Sequence, residues 1–307
     1  MRIGVIVPAF NVAPFLRRTL QSVVDQTHTD WSLVVIDDGS TDATDTVVHD
    51  FHDDRITLIR QDNAGVSAAR NRGIRHILAT PHDAILFLDG DDWLALDALS
   101  LLAATLDAAP WAVAACGRYA RVGSNRTACL SPAPPDGCVL ERLMIRNLFA
   151  NGGHLLIRRE AIADAGEFRR DLSYGEDWEY WTRLALQGEF VAAASRAPLL
   201  FVRERPGSAY LSHATDPDAY RPAIDAIHRN PAIASRLGQA RLAFLKRRAE
   251  AETAWAVGRE LIRHGRLQDG QRWLRRSIYD APNLKHLAMI GLSWARFGPF
   301  RPYRPVA

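Results

Sequence analysis

The sequence predicts an α/β fold, with a mostly parallel sheet flanked by helices, followed by an all-helical C-terminal region. Over residues 1–90, short apolar runs typical of buried strands alternate with segments of helical periodicity. Beyond residue 215 the chain becomes rich in Arg and Ala, and its pattern is helical. We therefore expect an α/β domain over 1–215 and a basic helical domain over 216–307.

The first four strands are expected where apolar runs end in polar turns. Ile3–Val7 is continuously apolar and is ended by Pro8, as is typical of a buried parallel strand. The other three strands are expected at 33–36, 56–59 and 84–88. Helices are predicted between them, from the apolar periodicity of 12–24, the N-cap residues Ser40-Thr41-Asp42, and the segment Val66–Leu78.

The pattern of alternating elements continues less regularly to residue 215. Leucines at helical spacing over 96–106 predict a helix, and Glu176–Leu186 predicts another. Apolar runs at 155–157 and 199–202 indicate strands, whereas three Pro and two Gly over 121–138 favour a loop. In the C-terminal region, residues 251–284 fit a single tetratricopeptide-like unit, and an ordinary helical hairpin fits them equally well.

Charge divides the chain in two. The net charge is +3 for 307 residues, yet residues 1–220 carry 21 basic and 29 acidic side chains, and residues 221–307 carry 17 and 6. The resulting net charges of −8 and +11 suggest that the basic segment meets an anionic surface, and a solvated helical face is the alternative.

Three cysteines without metal-type spacing favour reduced thiols in the cytoplasm. Since no apolar run approaches the length of about 20 that spans a bilayer, we expect a soluble or peripherally attached protein.

Acidic residues follow two of the predicted strands. Asp37-Asp38 ends the second strand and Asp89-Gly90-Asp91-Asp92 ends the fourth, while Glu176-Asp177 opens an aromatic segment. In open α/β sheets ligands bind beyond the carboxyl ends of the strands. Crowded carboxylates repel one another unless a cation or a polar ligand satisfies them, and oxygen ligands suit Mg²⁺ or Mn²⁺. The pattern therefore predicts a metal-dependent site for a phosphorylated ligand.

Six motifs in order resemble the family 2 glycosyltransferases, which have the GT-A fold and invert the anomeric centre. They are 5–11 (VIVPAFN), 35–42 (VIDDGSTD), 63–73 (NAGVSAARNRG), 87–92 (FLDGDD), 175–178 (GEDW) and 203–208 (RERPGS). A lone Asp-x-Asp is weak evidence, but six motifs at natural spacing are strong. The resemblance covers residues 1–210 and implies a nucleotide-sugar donor.

The resemblance also assigns residues to the donor. It implies that Pro8, Phe10 and Asp38 line the nucleobase and ribose pocket, while Asp37 orients the loop. It implies that Arg70 reaches the base or the diphosphate, which suits a guanidinium fork.

For the metal, the resemblance implies that Asp91 binds Mn²⁺ or Mg²⁺ directly. Asp89 would contact the ribose, or the metal through water. Residues two apart on an extended backbone project to one side, so both can address one ion. Asp92 has the alternative role of a helix cap, and Trp93 is expected to pack.

Catalysis of inverting transfer needs a carboxylate that takes the acceptor proton. The resemblance makes Asp177 this base, with Glu176 as its support and the exchange of the two roles left open. Many relatives carry His where Arg205 stands, so a phosphate contact is expected there rather than a metal ligand. His154 is expected to be a core histidine.

Other classes fit the sequence less well. A haloacid-dehalogenase-type phosphatase needs the order Asp-x-Asp-x-Thr/Val and a downstream lysine. Here Asp92 occupies the fourth position of the motif that begins at Asp89, and Lys246 and Lys285 both lie in the helical tail. A dinucleotide-binding oxidoreductase needs a Gly-x-Gly-x-x-Gly that does not follow the first strand. A non-catalytic nucleotide-sugar-binding GT-A module stays open. The expected activity is sugar transfer, with UDP as the expected nucleotide, to a glycan or polyprenyl-linked glycan of bacterial surface polysaccharide synthesis, with no nucleic-acid partner.

Overall fold

The computed structural model describes residues 1–123, 128–205, 212–282 and 284–294. The first part alternates strands and helices as the apolar pattern predicts. Its elements are β1 (Ile3–Ala9), α1 (Ala13–Val24), β2 (Trp31–Asp37), α2 (Thr44–His49), β3 (Ile56–Arg60), α3 (Val66–Leu78) and β4 (Ala84–Phe87). The predicted elements of this part are confirmed, with ends that differ by a few residues.

The middle of the chain adds a second set of elements. They are β5 (Trp93–Leu94), α4 (Ala98–Asp107), β6 (Ala112–Cys116), β7 (Arg118–Val122), β8 (Ala128–Leu130), α5 (Leu140–Leu143), β9 (Leu155–Arg158), α6 (Arg159–Ala165), α7 (Glu176–Gln187), β10 (Glu189–Ala192) and β11 (Pro198–Arg203). The prediction of a loop over 121–138 is wrong in part. Val122 ends β7, and β8 pairs with β7 antiparallel, so residues with weak strand signals are held in place by their ladder partner.

Two sheets organise these strands. The larger has the order β10-β6-β9-β4-β1-β2-β3, and the smaller has the order β5-β11-β7-β8. Strands β1 to β4 run parallel, whereas β9 runs antiparallel to both β4 and β6. Helix α3 packs closely on β1, because an added Cβ on Gly73 would lie only 2.3 Å from Cγ2 of Ile6. The mostly parallel sheet flanked by helices is confirmed.

The C-terminal region is helical in its described residues. Its helices are α8 (Pro217–His228), α9 (Pro231–Leu237), α10 (Gln239–Arg263), α11 (Leu267–Asp280) and α12 (Leu284–Trp294). Helices α10 and α11 form a tight hairpin, since an added Cβ on Gly258 would lie 2.7 Å from the carbonyl oxygen of Gly270. The hairpin is thus present, and its assignment to the tetratricopeptide class stays a prediction. Among the helices described, none has the length and apolar character that crossing a bilayer requires.

Two compact units divide the chain. One comprises 1–139, 149–171 and 183–204, and the other comprises 140–148, 172–182 and 205–307. The core of the first unit is built from the apolar residues of the central strands and of α1 and α4, among them Val5, Leu33, Leu86 and Leu102. In the second, Ile262 and Leu274 lie at the centre of the hairpin. These compact units alternate along the chain, whereas the predicted domains are contiguous. The domain boundary at residue 215 stays a prediction.

Candidate active site

The carboxyl ends of β1, β2 and β4 meet at one edge of the larger sheet. The backbone N–H of Asp38 donates to the carbonyl of Ala9 at 2.8 Å, and that of Leu88 donates to Ile6 at 2.9 Å. The turn after β4 lies close against the end of β1, since an added Cβ on Gly90 would be 3.2 Å from the carbonyl oxygen of Pro8. The fold therefore places the predicted donor-site motifs of three strands side by side.

The end of β1 combines a buried proline with an exposed aromatic ring. Pro8 is buried, whereas Phe10 is 47% exposed, an unusual position for a phenylalanine. The next residue, Asn11, has a φ of 52°, and its side-chain oxygen accepts a hydrogen bond from the N–H of Thr41 at 2.9 Å. This contact fixes the turn that presents the ring, so Phe10 is available to stack on a flat ligand.

The two carboxylates after β2 are held by the loops around them. Oδ1 of Asp37 accepts the N–H of Ser40 at 2.9 Å, and Oδ2 lies 3.5 Å from Nε of Arg60. Asp38 is buried and accepts three donors: the Gln61 amide at 2.7 Å and the N–H groups of Ala64 at 2.9 Å and Gly65 at 2.8 Å. Asp38 therefore fixes the loop that leads into α3, and its contact with a ribose or a base stays a prediction.

Asp89 is paired with the predicted donor-site arginine. Nη2 of Arg70 lies 3.0 Å from Oδ1 of Asp89, and the guanidinium stands 5.3 Å from the centre of the Phe168 ring. Arg70 is 6% exposed, which is low for a side chain that always carries a charge. Its charge is compensated by Asp89, and Phe168 is held in turn by a reciprocal pair of hydrogen bonds with Asn71 at 2.7 and 2.8 Å. The motif that carries Arg70 thus positions a guanidinium group beside the Asp-x-Asp turn.

An asparagine outside the six motifs joins two of these acids. Nδ2 of Asn151 donates to Oδ2 of Asp89 at 3.1 Å and to Oδ2 of Asp92 at 2.6 Å. The Asn151 side-chain oxygen accepts the N–H of Gly153 at 2.8 Å, which fixes the orientation of the amide. Sequence reasoning missed this residue. The one available signal is the Asn-Gly-Gly turn before an apolar strand, and that signal does not identify a contact to Asp89.

Asp92 is buried among charges. Its Oδ1 accepts the backbone N–H of Arg203 at 2.8 Å, so each of its oxygens has a donor. Burial raises the pKa of Asp92 well above its ordinary value, the negative charges of Asp89 and Asp91 raise it further, and the hydrogen bonds from Arg203 and Asn151 offset only part of this. Asp92 is therefore a buried polar anchor for the turn, rather than the cap of α4, which begins at Ala98.

The carboxylate oxygens of this turn are ligands of the kind that a hard divalent cation prefers. Asp89, Asp91 and Asp92 place three carboxylates within four residues, and the charges of Asp89 and Asp91 add to the larger effect of burial on the pKa of Asp92. Oxygen ligands of this kind suit Mg²⁺ or Mn²⁺. Within the described part of the chain no group of three or more His, Cys, Asp or Glu is arranged so that it could hold a metal ion by itself. Mg²⁺ commonly binds through one or two carboxylates and completes its shell with water and substrate phosphates. The assignment of Asp91 and Asp89 to such a site, together with a diphosphate, stays a prediction.

Trp93 and His154 have the packing roles that the sequence predicts. Trp93 is 8% exposed, stacks on Phe201 at 5.4 Å, and lies 3.5 Å below the Arg18 guanidinium. His154 is 1% exposed, with Nδ1 at 2.8 Å from the carbonyl of Gly117 and Nε2 at 3.4 Å from the N–H of Ala150. Burial lowers the pKa of His154 to about 4, against a smaller raising effect of the Gly117 bond. His154 is therefore neutral and belongs to the core.

Glu176 and Asp177 form the first turn of α7. Helix α7 carries Glu176, Asp177 and Glu179 in that turn, where negative charge is favourable beside the helix dipole. Oδ1 of Asp177 accepts the N–H of Trp178 at 2.6 Å, and Oδ2 accepts the Asn147 amide at 3.2 Å. Asp177 is half-buried and its orientation is fixed, as a positioned base requires. Trp178 at 4% and Trp181 at 1% exposure are core residues.

Arg203 and Arg205 belong to the last predicted motif. Nε of Arg203 donates to the carbonyl of Asp91 at 3.1 Å, and the guanidinium stands 4.9 Å from the centre of the Phe15 ring. Arg203 thus braces the Asp-x-Asp turn. Arg205 is half-buried, and its phosphate contact stays a prediction. The rest of the motif, residues 206–208, lies outside the described ranges.

Comparison with known proteins identifies the family. The profile of glycosyl transferase family 2 matches residues 4–164, which is more than half of the chain. The chain belongs to glycosyl transferase family 2. It is 42% identical over 103 residues to glycosyltransferase GlyA of Streptococcus pneumoniae, a match that covers 33% of this chain and 14% of GlyA. It is 36% identical over 95 residues to the Escherichia coli enzyme WfgD, named as a UDP-Glc:alpha-D-GlcNAc-diphosphoundecaprenol beta-1,3-glucosyltransferase, covering 30% of this chain and 36% of WfgD.

Solved structures confirm the GT-A fold of this family 2 member. TarS of Staphylococcus aureus in complex with UDP-GlcNAc superposes with a TM-score of 0.69 at 18% identity, covering 96% of this chain and 88% of the TarS chain. The mannosyltransferase PcManGT of Pyrobaculum calidifontis, solved with GDP-Man and Mn²⁺, gives a TM-score of 0.60 at 22% identity, covering 97% and 81%. At these identities the likeness shows the fold, while the matches to GlyA and WfgD span well under half of those relatives.

Proposed function

We propose that this glycosyltransferase transfers a sugar from a nucleotide-diphosphate donor, with UDP as the nucleotide, to a hydroxyl group of a glycan acceptor with inversion of the anomeric centre. The observation that carries the proposal is the acidic turn after β4, beside the end of β1, in which Arg70 pairs with Asp89, Asn151 donates to Asp89 and Asp92, and Asp91 stands between these two acids in sequence. A negatively charged turn beside a buried arginine suits a diphosphate bridged by a cation. The UDP-GlcNAc complex of TarS supports the choice of nucleotide.

The donor would be held by the residues of three strand ends. The exposed ring of Phe10 would stack on the base, and Pro8 and Asp38 would complete the pocket for base and ribose. Arg70 would face the diphosphate from its position against Asp89, and Arg205 would add a second guanidinium. Asp91 would hold Mn²⁺ or Mg²⁺ directly, with Asp89 contacting the ion through water or binding the ribose. When bound, the ion supplies neutralisation of the charge that develops on the leaving diphosphate.

The acceptor hydroxyl would lose its proton to Asp177. The carboxylate is oriented by Asn147, and in an inverting reaction it accepts the proton while the acceptor oxygen attacks the anomeric carbon from the face opposite the leaving group. Glu176 would support the charge of Asp177 at the start of α7. The proposed acceptor is a glycan on a polyprenyl diphosphate, supported by the activity that the name of WfgD states and by the basic charge of residues 221–307. The same charge supports peripheral attachment to the cytoplasmic face of the membrane.

A donor screen tests the proposal. The full chain is incubated with UDP-, GDP- and dTDP-sugars in Mn²⁺, Mg²⁺ or EDTA, and released nucleotide is measured. We expect release from a UDP-sugar that requires the metal. Release that is equal in EDTA would exclude the metal role, and saturable UDP binding without release in the presence of any acceptor glycan would favour the non-catalytic binding module.

Substitution of the proposed base separates binding from chemistry. Asp177→Asn is nearly isosteric and too weakly basic, so we expect turnover to fall about a hundredfold or more while UDP affinity is unchanged. Calorimetry with UDP and steady-state kinetics measure the two quantities. Glu176→Gln is the matched comparison and should reduce turnover less. If Glu176→Gln is the more damaging of the two, the roles are exchanged.

A further inference from the structure

A cavity lies in the helical C-terminal region, and its lining residues belong to none of the six motifs. Its volume is about 440 Å³, and it is lined by residues of α10, of the end of α11 and of α12. The residues that carry its chemistry are Phe244, Arg247, Arg248, Glu252, Asp280 and His286. A volume of this size accommodates a small polar ligand of the dimensions of a sugar phosphate.

The charges that line this cavity are unequally compensated. Oδ2 of Asp280 lies 3.4 Å from Nε of Arg276, and Oε1 of Glu252 lies 3.6 Å from Nε2 of His286. Asp280 therefore has a cationic partner of its own, and Glu252 has a histidine that is charged only when it is protonated. Among the described residues, Arg247 and Arg248 have no carboxylate within ion-pair distance, although both line the cavity. The cavity thus presents two guanidinium groups whose charge is left for a ligand.

The rim of the cavity is aromatic. Phe244 is 40% exposed, and the guanidinium groups of Arg241 and Arg248 stand 5.1 Å and 5.9 Å from the centre of its ring. Arg241 is already paired with Glu141, so it shapes the rim rather than the cavity charge. An exposed ring beside two uncompensated guanidiniums suits a ligand that has an apolar face and an anionic group.

We propose that this cavity binds a phosphate group, with Arg247 and Arg248 as its hydrogen-bond donors. Phosphate presents several acceptor oxygens, which match two guanidinium forks better than the two oxygens of a carboxylate do. The phosphate can belong to a soluble sugar or polyol phosphate or to the headgroup of an anionic lipid. Neither source depends on the donor site after β4, so the inference goes beyond the proposed transfer reaction.

The experiment uses the full chain, two probes and two double variants. Glycerol 3-phosphate, with glycerol as its neutral match, is titrated by calorimetry without metal or nucleotide. Vesicles of phosphatidylglycerol, with phosphatidylcholine as reference, are tested by sedimentation at low and high salt. The cavity variant is Arg247→Gln with Arg248→Gln. The control, Arg272→Gln with Arg275→Gln, removes the same charge from two exposed positions of α11.

We expect the cavity variant to weaken phosphate binding by about tenfold or more, and the control to weaken it by less than about twofold. Loss of glycerol 3-phosphate binding with unchanged vesicle binding assigns a soluble phosphate ligand, and loss of vesicle binding, with or without loss of glycerol 3-phosphate binding, assigns a lipid headgroup. Equal weakening by the two variants, or no binding of either probe by the wild type, overturns the proposal. Urea unfolding confirms that the variants are folded, and unchanged UDP affinity separates this result from the fate of the donor site.

Discussion

The acidic turns after β2 and β4 look alike in sequence and differ in the structure. Asp37 and Asp38 receive donors mainly from backbone N–H groups and loop side chains of the same turn and of the neighbouring loop. In the turn after β4, burial raises the pKa of Asp92 and the nearby charges of Asp89 and Asp91 raise it further, while Arg70, Asn151 and the backbone N–H of Arg203 donate to Asp89 and Asp92. The two turns therefore differ in which groups neutralise their carboxylates, and we expect the turn after β4 to be the one that binds a ligand.

The largest expected effect comes from removing a charge at the β4 end. Asp91→Asn should lower turnover by about a thousandfold, since a metal contributes several kcal/mol to the transition state. The free energy of unfolding should stay the same or rise, because one of the charges that repel Asp92 is gone. Kinetics with Mn²⁺ and urea unfolding measure the two effects. Asp97→Asn, at an exposed position five residues after Asp92, is the control, and a loss of activity equal to that of Asp91→Asn would contradict the assignment.

A second test concerns the turn that carries Asn151 to the β4 end. It is followed by neutral His154, whose pKa is lowered by burial to about 4 from 6.5. The unfolded chain therefore binds a proton at His154 more tightly than the folded chain does. The contribution of neutral His154 to the free energy of unfolding is complete above pH 6.5 and is lost as the pH falls toward 4. We expect a loss of about 3 kcal/mol from this group.

Urea unfolding at pH 7, 5 and 4 compares the wild type with His154→Gln, which removes the titration. The wild type should lose about 3 kcal/mol more than the variant over this range. NMR titration of the imidazole gives an independent value. A His154 that titrates near pH 6.5 would show that the turn beside the acidic cluster is open to water.

The smallest effect is expected at the β2 end. Asp38→Asn keeps an acceptor for Gln61 and Ala64 but turns an amide N–H toward the N–H of Gly65. We expect the free energy of unfolding to fall by about 2 kcal/mol, the scale of a lost hydrogen bond to a charged group. Asp62→Asn, exposed in the same loop, should change it little. UDP affinity should fall as well, because Asp38 is proposed to complete the pocket for base and ribose. Unchanged stability of Asp38→Asn would contradict the loop-holding role that the comparison gives this residue.

The sequence by itself determined the strand and helix alternation, the GT-A resemblance and the position of each acidic motif. These follow from local rules: apolar runs end where strands leave the core, and parallel strands bring their carboxyl ends to one edge. Helix Val66–Leu78 agrees residue for residue with its prediction. The charge of residues 221–307 was likewise evident from the sequence alone, while the cavity at Arg247 and Arg248 was not.

Tertiary structure decided how the charges are compensated. Asn151 reaches Asp89 and Asp92 because β9 runs antiparallel to β4, which brings the turn before Leu155 to the carboxyl end of β4. Arg70 likewise pairs with Asp89, 19 residues away in sequence, because the fold brings the two side chains together. No local pattern encodes such contacts, since they depend on strand order, and strand order is fixed by packing of the whole sheet.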